Sequence, residues 1–268
     1  MKIRWIDTSC FEIETEQGKR IVTDPYIDEC PDHPITSDEI QAMDYILITH
    51  THFDHITQLD AYYERYQPKI MASPITAMKL VEQLDLSGQC MYGMDHGEVL
   101  DFGSCTFTRI GGHHTIPNRK DRHLVRESEI CRGLAGAFPD SDAYQSLMCS
   151  GYWDFSNFYI ETEDHTGILF WGGTIGPEDI RKARAFRPDI ILMQIPSNPP
   201  EAVTEFVKEV GASYVIPHHQ DTYLRTKDVG KMMLEYGEAI NKVKPQMRFL
   251  PLEPGKWYEY RKTLERDT

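Results

Sequence analysis

The sequence lacks any run approaching the ~18 apolar residues that a membrane-spanning helix needs, and its opening, MKIRWIDTSC, has no apolar core of about 7 to 15 residues as in a secretory leader. Both gaps argue against membrane insertion or export, so the expectation is a soluble, cytoplasmic protein with no membrane partner. Positive charge is scarce: 28 Lys and Arg stand against 42 Asp and Glu, a net charge of −14. Such a chain repels a phosphate backbone at long range, which disfavours nucleic acid as substrate or partner. The six cysteines, at positions 10, 30, 90, 105, 131 and 149, form no CxxC pair and no short regular spacing. They are expected to be free thiols rather than a zinc site or a disulfide framework. Low-complexity segments and linkers are also missing, which favours one domain over residues 1–268.

What the chain does have is length enough for a large core: 268 residues should bury roughly 70–75% of the unfolded surface. Short segments rich in β-branched and aromatic residues open the sequence: KIRWI (2–6), FEIET (11–15) and KRIVT (19–23), the last two joined by a turn at EQG. DYILIT (44–49) and KIMA (69–72) read as strands. Residues 56–66 and 74–85 read as helices, the second opened by Pro74 at its first turn. A β pair is expected over 98–110 around Gly103. The second half alternates strands NFYIET, GILFW, DIILM and SYVI with helices PEDIRKARAF and PPEAVTEFVKEV, then closes on MRFL and KWYEY. Strand clusters at both ends with alternating elements inward of them imply two mixed sheets face to face with helices outside. Only residues 115–154 break this rhythm, and so long a connection suits an inserted loop or lid.

The densest chemistry lies in THTHFDHI, residues 49–56, directly after the apolar run Tyr45 to Ile48. On an extended chain, residues two apart face the same way, so His50 and His52 can reach one ion. Asp54 and His55, at the start of the following helix, can turn toward an adjacent position. Imidazole with carboxylate suits zinc, and also manganese or iron.

HTHFDH resembles the HxHxDH signature of the metallo-β-lactamase superfamily, whose fold is a four-layer αββα sandwich. The opening, MKIRWIDTSCFEIETEQGKRIVTDPYI, is similar to the branch that includes the L-ascorbate-6-phosphate lactonases and related metal-dependent hydrolases. Asp24 and Pro25 stand at the "DP" step of that branch, whereas Thr8 and Ser9 stand where "HS" is usual. The resemblance implies further ligands at the ends of later strands. In FTRIGGHHTIP the family spacing selects His114 over His113, and in SYVIPHHQDTY it selects His219 over His218. The implied metal set is therefore His50, His52, Asp54, His55, His114 and His219. One element departs from the pattern: ILFWGGTIG carries Gly173 where the family has an aspartate that bridges two ions. With no side chain to ligate there, one firmly held divalent ion at His50, His52 and His114 is favoured over two. Zinc is favoured and manganese is the alternative. Glu178 and Asp179 lie just beyond the strand as weaker substitutes.

The resemblance implies a metal-dependent hydrolase in which Asp54 is the catalytic base. The substrate is expected to be a small ester, a lactone such as a sugar lactone, or a phosphodiester. Arg119, Lys120, Arg122, His123 and Arg126 of the insertion are candidates for contacting a phosphorylated substrate, though such a charge run more often faces solvent. A degenerate, non-catalytic metal-binding or sensing member of the same fold is the alternative. Redox chemistry of the flavodiiron type is disfavoured, because those proteins carry glutamate at the position of His52. A homo-oligomer is compatible with this reading.

Overall fold

Apolar side chains alternate between the two faces of nearly every central strand, and this alternation builds the architecture. The structure is a computed structural model describing residues 1–30, 34–114, 147, 154–195, 198–223 and 228–262. The first sheet contains β1 (Lys2–Asp7), β2 (Cys10–Glu14), β3 (Arg20–Thr23), β4 (Tyr45–Leu47), β5 (Lys69–Ala72) and β6 (Met91–Gly93), with the C-terminal β14 (Tyr258–Glu259) added beside β1. Its first three strands run antiparallel, and β3 to β6 are parallel. The second sheet has the order β13-β12-β11-β10-β9-β8-β7. There β7 (Val99–Asp101), β8 (Cys105–Gly112), β9 (Phe155–Thr162) and β10 (Gly167–Trp171) are antiparallel. From β10 onward, β11 (Ile190–Gln194), β12 (Tyr214–His218) and β13 (Arg248–Phe249) are parallel.

Three apolar layers separate the four structural ones. Between the sheets lie Trp5, Phe11, Ile13, Ile21, Leu47 and Met71 from one side and Phe107, Phe158, Ile168, Phe170 and Leu192 from the other. One residue along in each strand the side chains turn outward. Val22, Ile46 and Ile70 pack under α1 (Phe53–Ile56), α2 (Leu59–Tyr66) and α3 (Pro74–Leu84) through Ile56, Leu59, Tyr62 and Leu80. Leu169, Trp171, Ile191 and Val215 pack under α4 (Pro177–Ala183), α5 (Pro200–Val210) and α6 (Val229–Val243) through Ile180, Val203, Phe206, Val207, Tyr236 and Ile240. The αββα sandwich expected from the sequence is the one observed. Strands covered on both faces read as continuous apolar runs for this reason.

Two local details differ from expectation. The helix expected over 56–66 begins only at Leu59, and a separate short helix, Phe53–Ile56, precedes it, because Thr57 is extended and Gln58 takes a left-handed conformation (φ 60°). The break lets α1 aim His55 inward while α2 buries Leu59 and Tyr62 in a separate phase. Strand β6 has no counterpart among the expected strands: it is three residues long with no fully buried position, and so carries no apolar pattern. The insertion lies outside the described residues apart from Leu147 and Asp154, and with it lie Arg119, Lys120, Arg122, His123 and Arg126. Its return is anchored: Asp154 accepts from the backbone and side chain of Thr76 and from Ser73 at the start of α3, and Arg109 reaches it at 3.5 Å. Cys10, Cys30, Cys90 and Cys105 are free thiols, while Cys131 and Cys149 fall outside the described residues. No helix among the described residues is long and apolar enough to cross a membrane.

Phe107 joins the two sheets, its ring 5.1 Å from that of Tyr45. Phe107→Ala should therefore cost about 3–5 kcal/mol of unfolding free energy. Urea denaturation monitored by circular dichroism measures this; a loss below ~1 kcal/mol would mean that the inter-sheet layer does not depend on the ring.

Candidate metal centre

The C-terminal ends of β3, β4, β8, β10 and β12 meet at one edge of the sandwich, and each carries polar residues just past its last apolar position. β4 continues through Ile48 into Thr49, His50, Thr51 and His52, all buried. The two sheets are fastened together at this edge by backbone hydrogen bonds: Ser156 N donates to Thr49 O at 2.8 Å, and His219 N donates to Thr8 O at 2.8 Å.

Six side chains converge here in two groups of three. His50, His52 and His114 offer ligand atoms that all lie within 4.8 Å of one another, and so do Asp54, His55 and His219. The imidazoles crowd closely, with centroids 4.3 Å apart for His50 and His52, 4.5 Å for His52 and His114, and 4.0 Å for His50 and His55. His50 links the two groups. Of the two histidine doublets, His114 enters the first group while His113 is exposed, its carbonyl accepting from the amide and hydroxyl of Thr174. His219 enters the second group, whereas His218 is fully buried between Phe11 and Phe170 and contacts Ser9 Oγ at 3.1 Å and the Trp171 carbonyl at 3.2 Å. Glu178 and Asp179 belong to neither group. Glu178 pairs with Arg181 and Lys182, and Asp179 accepts from Gly176 N at the start of α4.

Asp24 sets the orientation of both groups. It is fully buried just past β3, in a left-handed conformation (φ 38°). Its Oδ1 accepts from Thr49 N at 2.7 Å, and its Oδ2 accepts from Thr49 Oγ1 at 2.7 Å. Having given its one proton to Asp24, the Thr49 hydroxyl must accept from His50 Nδ1, 2.9 Å away. This assigns the hydrogen of His50 to Nδ1 and leaves Nε2 as a bare lone pair. Nε2 is buried and has no hydrogen-bond partner among the described residues. The same carboxylate lies 2.8 Å from His55 Nδ1, turning His55 Nε2 toward Asp54. A carboxylate behind a ligating imidazole is the usual way that ring orientation and tautomer are fixed.

The electrostatics match a donor set awaiting a cation. Burial, reinforced by the surrounding imidazoles, holds His50 well below the ordinary histidine range. Burial and then His114 push His52 down to about 3. Both rings are therefore neutral, as ligation requires. For His55 burial acts downward, but Asp24 and Asp54 outweigh it and the net shift is upward. Burial acts upward on Asp54, and His55, His219 and His52 outweigh it to keep that carboxylate ionised. The Asp54 oxygens stand 3.7 Å from His55 Nε2 and 3.6 Å from His219 Nε2. These separations are too long for hydrogen bonds. They are close to the ~3.3 Å between ligands that metal–ligand distances of about 2.0–2.1 Å give around a tetrahedral ion. The residues of both groups thus fit a divalent cation in their donor types and spacing.

Two supporting residues carry no sequence signal of their own. Asn157 Oδ1 accepts from the amides of Gly172 and Gly173 at 2.8 and 3.1 Å, fixing the turn after β10. A Cβ at Gly112 would lie 2.3 Å from Asn157 Nδ2, so only glycine admits this amide. Asp221 lies 4.0 Å from His219 Nδ1 and accepts from Thr8 Oγ1 at 3.1 Å. Asn157 and Asp221 are unremarkable letters in the sequence. Asp24 could have been found, since it marks the "DP" step, but its bond to Thr49 spans 25 positions.

Comparison with known proteins gives the same outline. Residues 2–219 match the family described as the Beta-lactamase superfamily domain. A UPF0173 metal-dependent hydrolase of Caldivirga maquilingensis is 43% identical over 258 residues, covering 94% of this chain and 95% of that one. Another, from Methanobrevibacter smithii, is 25% identical over 266 residues, 97% of each. Among solved structures, Igni18, a metallo hydrolase of the archaeon Ignicoccus hospitalis, superposes with a TM-score of 0.69 at 16% identity over 97% of this chain and 99% of that one. That likeness shows the fold.

The buried imidazoles make the metal-free protein acid-sensitive. His218 is held well below the usual range by burial and then by His219. In the unfolded chain His50, His52 and His218 would each take a proton near pH ~6.5, which the folded chain refuses. Unfolding then takes up protons, and stability falls as pH drops below ~6.5 toward 3. Asp7, pushed up to about 6 by burial and then by Asp221, works in the opposite direction between 6 and 3.8 and offsets one imidazole. His55, shifted upward, acts above ~6.5 and leaves this window unchanged. The melting temperature of chelator-treated protein should therefore fall as the pH is lowered from ~6.5 to ~5. A flat profile would show that these rings are not held neutral.

Proposed function

Since this chain belongs to the metallo-β-lactamase superfamily, we propose that it is a metal-dependent hydrolase of small-molecule esters, lactones or phosphodiesters, working with one firmly bound divalent ion. The observation that carries the reading is the trio His50, His52 and His114, with the Nε2 lone pair of His50 bared by the chain from Asp24 through Thr49. His50, His52 and His114 would hold the ion. Zinc suits a three-imidazole set best, and manganese is the alternative. When bound, such an ion polarises the scissile group and lowers the pKa of water toward ~7.

The chain's own residues supply the rest. Asp54 stays ionised and has 20% of its side chain exposed, so it can accept the proton of the attacking water. His55 and His219 flank it and orient its two oxygens. The net charge of −14 favours a small substrate over a nucleic acid. A lactone follows the likeness of the N-terminal segment to the ascorbate-6-phosphate lactonase branch, and a phosphodiester is the variant. A non-catalytic sensing role is favoured by one observation, Gly173 at the position of the bridging carboxylate. Against it stands Asp54, an ionised and accessible base beside the trio, which a purely structural ion would not need.

Two measurements test this reading. Metal analysis of purified protein should give one equivalent per chain, and finding none would sink the hydrolase. On a panel of lactones and phosphodiesters, Asp54→Asn should lower kcat by ~10²–10⁴ while the His50, His52, His114 ion is retained. His52→Ala should abolish turnover together with ion binding. Turnover in the His52 variant equal to wild type would exclude the mechanism.

A further inference from the structure

Gly173 invites the reading that a second ion is lost only because a carboxylate is missing. Three neighbours surround the direction in which a side chain at 173 would grow. A Cβ there would lie 3.0 Å from the His113 carbonyl oxygen, 3.4 Å from Phe155 Cε1 and 3.5 Å from Asn157 Nδ2. The first of these is tighter than ordinary van der Waals contact. Hydrogen bonds hold the backbone here, so the His113 carbonyl would have to give by a few tenths of an ångström. Asn157 Oδ1 holds the Gly173 amide at 3.1 Å, Asn198 Nδ2 donates to the Gly173 carbonyl at 3.0 Å, and Thr174 N donates to His113 O at 2.9 Å.

Phe155 lies at the centre of this enclosure. Its ring is 4% exposed and rests on the two glycines, with Cζ 3.3 Å from a Cβ built at Gly172. On its other side it meets the imidazoles of His50, at 4.8 Å and a 36° tilt, and of His114, at 5.8 Å and 66°. The ring thus fills the space between the end of β10 and two of the three histidines of the first group.

We infer that Phe155 occupies the room a bridging carboxylate needs, so that this ring, as well as the missing aspartate, restricts the centre to one ion. The inference rests on the one-ion reading given above. A Cβ at 173 would touch the ring at 3.4 Å, and the carboxylate beyond it would contend with the ring for the same space. Phe155 is a positioning residue, acting on stoichiometry through the space it takes and on His50 and His114 through contact.

The test is zinc content, measured by mass spectrometry after equilibration with excess zinc and desalting, with circular dichroism confirming the fold. Wild type and Phe155→Ala should each hold one equivalent. Gly173→Asp alone should stay at one or below, with a lowered melting temperature. The double variant Gly173→Asp, Phe155→Ala should rise to two. Phe155→Leu in the same background replaces the alanine if that protein fails to fold, and should give more than one. Two equivalents in Gly173→Asp alone would overturn the inference, as would one equivalent in a folded double variant. Two equivalents in the unaltered chain would instead overturn the one-ion reading on which the inference stands, so the two failures are told apart by which protein shows the second ion.

Discussion

The structure turns on one buried carboxylate. Asp24 is fully buried at the end of β3; among the described residues it accepts from Thr49 N and Thr49 Oγ1, and the His55 ring lies 2.8 Å away. A buried carboxylate is tolerated only when such donors meet it. In meeting it they fix the backbone after β4, the tautomer of His50 and the direction of His55. The left-handed backbone of Asp24 is an uncommon conformation for a non-glycine residue, and here it turns the side chain back toward the neighbouring strand. Such outliers gather where the surrounding structure has a reason to hold them.

The fold places this carboxylate by arranging where strands end. Parallel strands leave their C-terminal ends free of the connections that cover their faces, and sites form there. In this chain two sheets bring such ends to the same edge, fastened by Ser156 N to Thr49 O and by His219 N to Thr8 O. His218 belongs to that fastening. It is neutral and fully buried, and it links Ser9 of the first sheet to the Trp171 carbonyl of the second. The doublet His218 and His219 therefore divides its work, one imidazole joining the sheets and the next facing Asp54. The left-handed conformation of His219 (φ 64°) is what turns adjacent side chains to different tasks.

Charge at the centre is balanced unevenly between the two groups. The first is three neutral imidazoles, with Phe155 against two of them. The second carries the Asp54 carboxylate, with Asp24 behind His55 and Asp221 near His219. On the function proposed above, the first group would hold the ion and the second would supply the base.

The sequence by itself determined the layers and the crowding of His50, His52, Asp54 and His55 after one strand. Alternation in segments such as GILFW and DIILM marked strands buried on both faces, because side-chain direction in a strand depends only on position along it. The quartet in THTHFDHI was legible for the same local reason. His114 and His219 were distinguishable from their neighbours only through a family's spacing. What sequence could not decide was contact between distant positions: the hold of Asp24 on Thr49, the burial of His218 against Phe11, and the Phe155 ring lying on Gly172 and Gly173. The helix break at Thr57 and Gln58 belongs with these, since it answers to two separate packing demands that no local preference reveals. Such features depend on which strand ends meet, and that is set by the packing of the two sheets.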